Sequence, residues 1–114
     1  MNTKEIGDFG EKQATKYLKK NGYKIIEKNY KNKIGEIDII AQEKKTKTLV
    51  FVEVKAKSSD FFGLPREMVD DRKIHKIEQV ATAYLMEKHC LDIDFRFDVI
   101  EILKGEITHI KNAW

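Results

Sequence analysis

The sequence predicts a single α/β domain, in which helices pack on one mixed β-sheet with the element order αβββαββ. The chain has 114 residues, of which 41% are hydrophobic, so it can bury one core but hardly a second. Two segments repeat apolar residues with the period of a helix, and five shorter segments are rich in strand-forming residues. Helices and strands in this order favour packing against a shared sheet. We therefore treat residues 1–114 as one domain.

The first predicted helix begins after Asn2, which can cap it, and Glu5 supplies the return half of a capping box. Gly22 ends the helix because glycine readily adopts the backbone conformation found just beyond a helix. The residues that recur at helical spacing and form its apolar stripe are Ile6, Phe9, Ala14, Tyr17 and Leu18.

Three predicted strands follow the first helix, at residues 23–30, 36–42 and 48–56. The third strand is the richest in β-branched residues. The charged run at residues 43–47 predicts a turn between the second and third strands, which would then form an antiparallel hairpin.

The second half of the chain is predicted to hold one helix and two strands. Residues 58–63 indicate a loop, and Pro65 can start a short helical turn. Asp70 or Asp71 can then cap a long helix that runs to about residue 88. Its apolar stripe consists of Ile74, Ile77, Val80, Ala81, Tyr84 and Leu85. The final strands cover residues 93–103 and 106–111, joined by a tight turn at Lys104-Gly105.

The composition limits the class of protein. Charged residues make up 36% of the chain and the net charge is +3, which is only weak evidence for a nucleic-acid partner. The single cysteine, Cys90, excludes an internal disulfide and suits a reducing compartment. No apolar run has the length of a membrane span, and the first residues do not form a signal-peptide pattern. We therefore expect a cytoplasmic protein without a membrane partner.

Two charged residues in the middle of the third strand indicate where chemistry could occur. Because strand side chains alternate between faces, Glu53 and Lys55 share a face with Leu49 and Phe51. A carboxylate and an ammonium in such apolar surroundings are costly to bury unless they are paired or bound to an ion.

The second strand shows the same anomaly at Asp38. Alternation places Glu36, Asp38 and Ile40 on one face. The other face is formed by Ile37, Ile39 and Ala41. In a hairpin, Asp38 can lie near Glu53, and the repulsion between two carboxylates favours a bound divalent cation such as magnesium. Lys55 could then orient water and stabilise negative charge at a phosphodiester.

Strand spacing alone leaves two interpretations about equally supported. A Glu-x-Lys pair on a strand can also be an exposed ion pair of little energetic value. Glu11 lies at the margin of the apolar face of the first helix, where its position alone favours an ordinary solvent-facing acid.

At these residues the sequence resembles the PD-(D/E)xK nuclease superfamily. More closely, it resembles the YraN-like family of largely uncharacterised bacterial proteins, which are related to archaeal-type Holliday junction resolvases. The match covers nearly the whole chain. It depends on the motifs Gly10-Glu11, Gly22-Tyr23, Asn29-Tyr30, Gly35-Glu-Ile-Asp-Ile-Ile40, Phe51-Val-Glu-Val-Lys55, Phe95-Arg-Phe-Asp-Val99 and Ile110-Lys-Asn-Ala-Trp114.

The resemblance implies a restriction-endonuclease-like fold with a mixed central sheet flanked by helices. It also implies a nuclease in which Asp38, Glu53 and Glu11 hold Mg²⁺, for which Mn²⁺ can substitute, and in which Lys55 is catalytic. Ile37 stands where the superfamily motif has proline, a frequent departure. The implied substrate is DNA, branched or otherwise structured, and a resolvase-like role would suit a homodimer.

Four basic residues flank the implied site along the chain, namely Lys57, Arg72, Lys73 and Lys76. Arg72 and Lys76 are four apart and share a helical face. They could bind the phosphates that dominate nucleic-acid affinity, or they could form a solvated helix face. An alternative to the enzyme is a non-catalytic nucleic-acid-binding or assembly module that uses a nuclease fold.

Overall fold

The computed structural model describes residues 2–57 and 70–114. The predicted loop at 58–63 and the predicted turn at Pro65 lie outside these residues. The elements are α1 (Thr3–Lys20), β1 (Tyr23–Lys31), β2 (Glu36–Glu43), β3 (Leu49–Lys57), α2 (Asp71–Glu87), β4 (Phe95–Leu103) and β5 (Glu106–Ile110). Within the described residues, no helix is long and apolar enough to cross a membrane.

The five strands form one mixed sheet in the order β1-β2-β3-β4-β5. Strands β3 and β4 are parallel, whereas every other neighbouring pair is antiparallel. A parallel pair needs a crossover connection, and the segment that contains α2 provides it. This confirms the predicted α/β class and the order αβββαββ, and it is consistent with the restriction-endonuclease-like fold that the resemblance implies.

The central strand β3 is covered on both faces. Leu49 and Phe51 pack in the cluster beneath α2, while Val50 and Val52 pack in the cluster beneath α1. The predicted alternation of β3 is therefore confirmed. Because β3 is buried on both sides, any charged side chain that it carries must find a partner inside the protein.

Alternation fails at the beginning of β2. Ile39 and Ala41 share a face as predicted and pack beneath α1, but the prediction that Ile37 shares their face is wrong, because Ile37 belongs to the cluster beneath α2. The reason lies in the pairing of β2 with β3. Their ladder ends at the Ile39–Val52 pair, so the residues of β2 before Ile39 are not held in register by β3.

Helix α1 starts as the sequence predicts. The Asn2 side chain accepts a hydrogen bond of 2.8 Å from the Glu5 backbone N–H, which satisfies one of the unpaired donors of the first turn. Ala14 and Leu18 are fully buried, but Phe9 is exposed. The predicted apolar stripe of α1 is therefore wrong at Phe9, which lies beyond the edge of the sheet-facing surface.

The end of α1 and the turn between β4 and β5 contain residues with positive φ. Gly22 ends α1 with a φ of 91°, and the two-residue turn between β4 and β5 has φ values of 51° at Lys104 and 83° at Gly105. Two consecutive residues with positive φ match the right-handed twist of a hairpin, and glycine adopts this conformation without strain. Strand β4 begins at Phe95, two residues later than predicted.

A buried polar cluster ties β4 to β5 and to the end of the chain. Asp98 is 0% exposed and accepts hydrogen bonds from Arg96 Nε at 3.0 Å and the Asn112 backbone N–H at 3.0 Å. His109 Nε2 lies 2.7 Å from its Oδ2. Burial alone would raise the pKa of Asp98, but the bonds with His109 and Arg96 outweigh it and hold the pKa below its ordinary value.

Gly10 sets the distance between α1 and β3. It is buried, and a methyl group added to it would overlap the Cβ of Ala56 on β3. The next residue along α1 is Glu11, so this close approach also determines how near Glu11 comes to the sheet.

We expect Gly10→Ala to lower the free energy of unfolding by about 1–3 kcal/mol, because overpacking outweighs the better helix propensity of alanine. The matched control is Gly7→Ala in the same helix, where an added methyl group meets nothing within 4 Å. This control should stabilise the protein by roughly 0.5–1 kcal/mol. Urea denaturation of both variants gives the comparison, and equal effects would contradict the close contact.

Candidate active site

A polar pocket of about 410 Å³ lies where β2 and β3 separate. It brings Asp38 from β2 together with Glu53 and Lys55 from β3, and α2 contributes two lysines from its first turns. The residues that line it are Gly35, Glu36, Asp38, Glu53, Val54, Lys55, Lys73, Lys76 and Ile77.

Asp38 bridges the two strands with its side chain. Its Oδ2 accepts a hydrogen bond of 2.8 Å from the Val54 backbone N–H, beyond the last backbone pair, Ile39–Val52. Burial raises the pKa of Asp38 above its ordinary value, although the bond from Val54 and the charge of Lys73 partly oppose the rise. The bond from Val54 thus fixes the orientation of the carboxylate, and burial makes its charged form costly.

Glu53 is the most deeply buried acid of the pocket, with 4% of its surface exposed. Lys73 Nζ lies 3.2 Å from Glu53 Oε1. Burial, followed by the negative charge of Asp38, raises the pKa of Glu53 to about 7, even though Lys73 and Lys55 act in the opposite direction. The two lysines therefore do not fully offset the cost of keeping the buried Glu53 carboxylate charged beside Asp38.

The two lysines nearest to Glu53 differ in their basicity. Burial, together with the adjacent Lys73, lowers the pKa of Lys55. Burial acts to lower the pKa of Lys73 as well, but its hydrogen bonds with Lys55 and Glu53 raise it above the ordinary value. Lys73 therefore binds its proton more strongly than an ordinary lysine, whereas Lys55 binds its proton less strongly.

Glu11 lies beside this pocket on the α1 side. It lines a second pocket of about 220 Å³ together with Asp8, Lys12, Thr15, Lys28 and Asn29. Burial and then the charge of Asp38 raise the pKa of Glu11, while a side-chain hydrogen bond with Asn29 lowers it. Glu11 thus interacts electrostatically with Asp38 but does not line the pocket of Glu53.

The donor set of the larger pocket suits a magnesium or manganese ion. Asp38 and Glu53 offer carboxylate oxygens, which these ions prefer, and Mg²⁺ is commonly held by only one or two carboxylates plus water and substrate phosphate. Across residues 2–57 and 70–114, no three acidic, histidine or cysteine side chains form a metal-binding group. Asp38 and Glu53 fit an ion as a pair, and the role of Glu11 as a third ligand stays a prediction.

The four basic residues predicted to contact nucleic acid lie in different places. Lys73 and Lys76 line the pocket, and Arg72 is exposed in the first turn of α2. Lys57 ends β3 and is not among the described residues that line the pocket. Lys76 is thus an exposed basic group that lines the pocket, while Arg72 is exposed one turn earlier on α2.

Sequence reasoning missed two acids. Glu36 lines the pocket and helps to raise the pKa of Asp38. Glu101 is buried on β4 and lies in register with Lys55 on the parallel neighbour β3. The signal was present for both, because Glu36 shares the alternation of Asp38, and Glu101 is a charge between two isoleucines, as anomalous as Glu53.

The raised pKa of Glu53 predicts how stability varies with pH. Because folding raises this pKa from 4.5 to about 7, the folded protein retains a proton that the unfolded chain loses at lower pH. Metal-free stability should therefore fall as the pH rises through this interval, by at most about 3 kcal/mol. Glu53→Gln should abolish this part of the fall and be more stable than the wild type above pH 7.

Urea denaturation in EDTA at pH 5, 6, 7 and 8 measures this dependence. Glu106→Gln changes an exposed acid of β5 in the same way and should keep the wild-type dependence. A Glu53→Gln variant whose stability falls as steeply as that of the wild type would contradict the assignment.

Comparison with known proteins places the chain in a family. Residues 10–102 match the model described as "Uncharacterised protein family UPF0102". A UPF0102 protein of Clostridioides difficile (strain 630) is 51% identical and covers 100% of both chains. One from Caldanaerobacter subterraneus subsp. tengcongensis is 46% identical over 100% of this chain and 98% of its own, and one from Persephonella marina is 43% identical over 95% and 91%. These matches confirm the resemblance to the YraN-like family of uncharacterised proteins, and the chain belongs to the UPF0102 family.

Proposed function

We propose that this protein is a magnesium-dependent nuclease of the PD-(D/E)xK type that hydrolyses phosphodiester bonds in DNA. The observation that carries the proposal is that the half-buried Asp38 and the buried Glu53 share one pocket with Lys55. Perturbed carboxylates next to a lysine in a cleft are typical of catalytic sites. Branched DNA is the substrate that the resemblance favours.

Each residue of the pocket has a distinct task in this proposal. Asp38 and Glu53 hold the ion, and the Val54 N–H keeps Asp38 oriented. When bound, the ion supplies Lewis-acid polarisation of the scissile phosphate and of the attacking water. Lys55 orients that water and stabilises negative charge on the phosphate during in-line attack.

The proposal is tested by charge-removing substitutions that preserve shape. Asp38→Asn keeps an acceptor for the Val54 N–H but loses its charge, and Lys55→Met loses the ammonium. Each should reduce Mg²⁺-dependent cleavage by at least about 100-fold, and EDTA should abolish cleavage by the wild type. The substrates are linear duplex, single-stranded and four-way-junction DNA, and the products are resolved on denaturing gels.

Controls for this experiment are Asp94→Asn and Lys24→Met, which make the same changes at exposed positions outside the described lining of the pocket. Both should cleave as the wild type does. Cleavage that survives Asp38→Asn and Lys55→Met unchanged would show that the nuclease activity resides elsewhere.

DNA binding should depend on Lys76, which lines the pocket, and on Arg72, which is exposed one turn earlier on α2. Lys76→Ala and Arg72→Ala should each weaken binding to all DNA sequences about equally and reduce the slope of log Kd against log salt by about 1. Fluorescence anisotropy in Ca²⁺, at several salt concentrations, measures both quantities. A salt slope that neither variant changes would exclude this face of α2 as the phosphate contact.

A non-catalytic nucleic-acid-binding module is the second candidate. The observation that favours it is the Lys73–Glu53 ion pair, which gives Glu53 a partner without any metal. Such a module should bind DNA with an affinity that Mg²⁺ does not change and should turn over no substrate. The enzyme should bind DNA more tightly when a divalent cation is present, because the pocket otherwise repels phosphate.

A further inference from the structure

Lys73 is held in the pocket from two directions. Its backbone N–H donates a hydrogen bond of 2.9 Å to Oδ1 of Asp70, the residue that caps α2. Its ammonium lies 3.2 Å from Oε1 of Glu53 and also acts on Asp38 and Lys55. The first turn of α2 therefore places a positive charge directly against the buried carboxylate of β3.

This charge lies against one of the two carboxylates that would hold a cation. Glu53 and Asp38 repel each other in the low-dielectric pocket, and the ammonium relieves part of that repulsion. The side chain of Lys73 is 43% exposed, whereas that of Glu53 is 5% exposed. Since lysine has a flexible four-carbon stem, the ammonium can swing towards solvent while the α2 backbone and its cap stay in place.

We propose that Lys73 is an internal counter-ion, which stabilises the Asp38–Glu53 pair in the metal-free protein and leaves Glu53 when a divalent cation binds. Only one aspect of the proposed function enters this proposal, namely that Asp38 and Glu53 are the ligands of the ion. Released from Glu53, the Lys73 ammonium reaches solvent at the mouth of the pocket, where a substrate phosphate would approach. Metal binding thereby prepares a phosphate contact.

The experiment compares Lys73→Met with Lys76→Met in the absence of DNA. Lys76 also lines the pocket and is exposed, so its variant controls for the general loss of one positive charge. In EDTA, Lys73→Met should melt at a lower temperature than Lys76→Met, because it leaves the buried Glu53 carboxylate without its counter-ion. In calorimetric titrations, Lys73→Met should bind Mn²⁺ about tenfold tighter than the wild type, and Lys76→Met should change the affinity less.

A rescue variant keeps the test decisive if Lys73→Met folds poorly. Adding Glu53→Gln removes the carboxylate that needs the counter-ion, so Lys73→Met should lower the melting temperature less in the Glu53→Gln background than in the wild type. A simple packing role of the lysine stem would give the same loss in both backgrounds.

Three results would overturn the proposal: unchanged Mn²⁺ affinity in Lys73→Met, equal effects of Lys73→Met and Lys76→Met, or the same loss of melting temperature from Lys73→Met in the wild-type and Glu53→Gln backgrounds. None of these measurements uses DNA, so they are separate from the nuclease assay. A wild type that cleaves DNA while Lys73→Met binds Mn²⁺ unchanged contradicts only the role of Lys73. A wild type that never cleaves DNA, with tighter Mn²⁺ binding in Lys73→Met, contradicts only the nuclease.

Discussion

The end of the β2–β3 ladder is the constraint on which the candidate site depends. Past the Ile39–Val52 pair, the strands no longer exchange backbone hydrogen bonds, and the Asp38 carboxylate binds the Val54 N–H in their place. A buried N–H needs an acceptor, and a side chain that provides it is held in one orientation. The same separation opens the pocket and lets Asp38 interact with α2 through Lys73 and with α1 through Glu11.

Two buried carboxylates of this protein, Asp98 and Glu53, have pKa shifts in opposite directions. The difference separates a carboxylate that stabilises the fold from one that lies in the candidate site. Asp98 is surrounded by donors from Arg96, His109 and Asn112, so its pKa falls despite complete burial. Glu53 pairs with Lys73, yet burial and the charge of Asp38 raise its pKa to about 7. A carboxylate that served only to hold elements together would be expected to be satisfied like Asp98. The charged form of Glu53 is instead costly, and a bound cation would stabilise it.

The parts of the fold that depend on local chemistry could be predicted from the sequence. The Asn2 cap, the Lys104-Gly105 turn and the alternation of β3 each follow from a few neighbouring residues, and each is present. The position of Ile37 could not be predicted by the same alternation, because it depends on where the β2–β3 ladder ends. That end point is a property of the paired sheet rather than of either strand.

The candidate site, like the fold, could be predicted where it depends on local sequence patterns. Glu53 and Lys55 stand out as charges in an apolar strand, and the hairpin predicts that Asp38 lies near them. The contact of Lys73 with Glu53 joins a helix to a strand across the crossover between β3 and β4, so no local pattern contains it. Glu11 was a candidate only through the family resemblance, since its helical position alone favours a surface acid.

The charge distribution around the pocket argues for coupled binding of metal and substrate. The net charge of +3 is small, so any affinity for DNA must come from local basic groups such as Lys76 and Arg72 on α2. The same pocket, however, presents Glu36, Asp38 and Glu53, and these acids would repel a phosphate placed against Lys55. A surface used only to hold nucleic acid gains nothing from acids at the point where the phosphate must sit. They become useful once a divalent cation lies between them and the phosphate, because the cation then attracts both, and the arrangement therefore favours catalysis over binding alone.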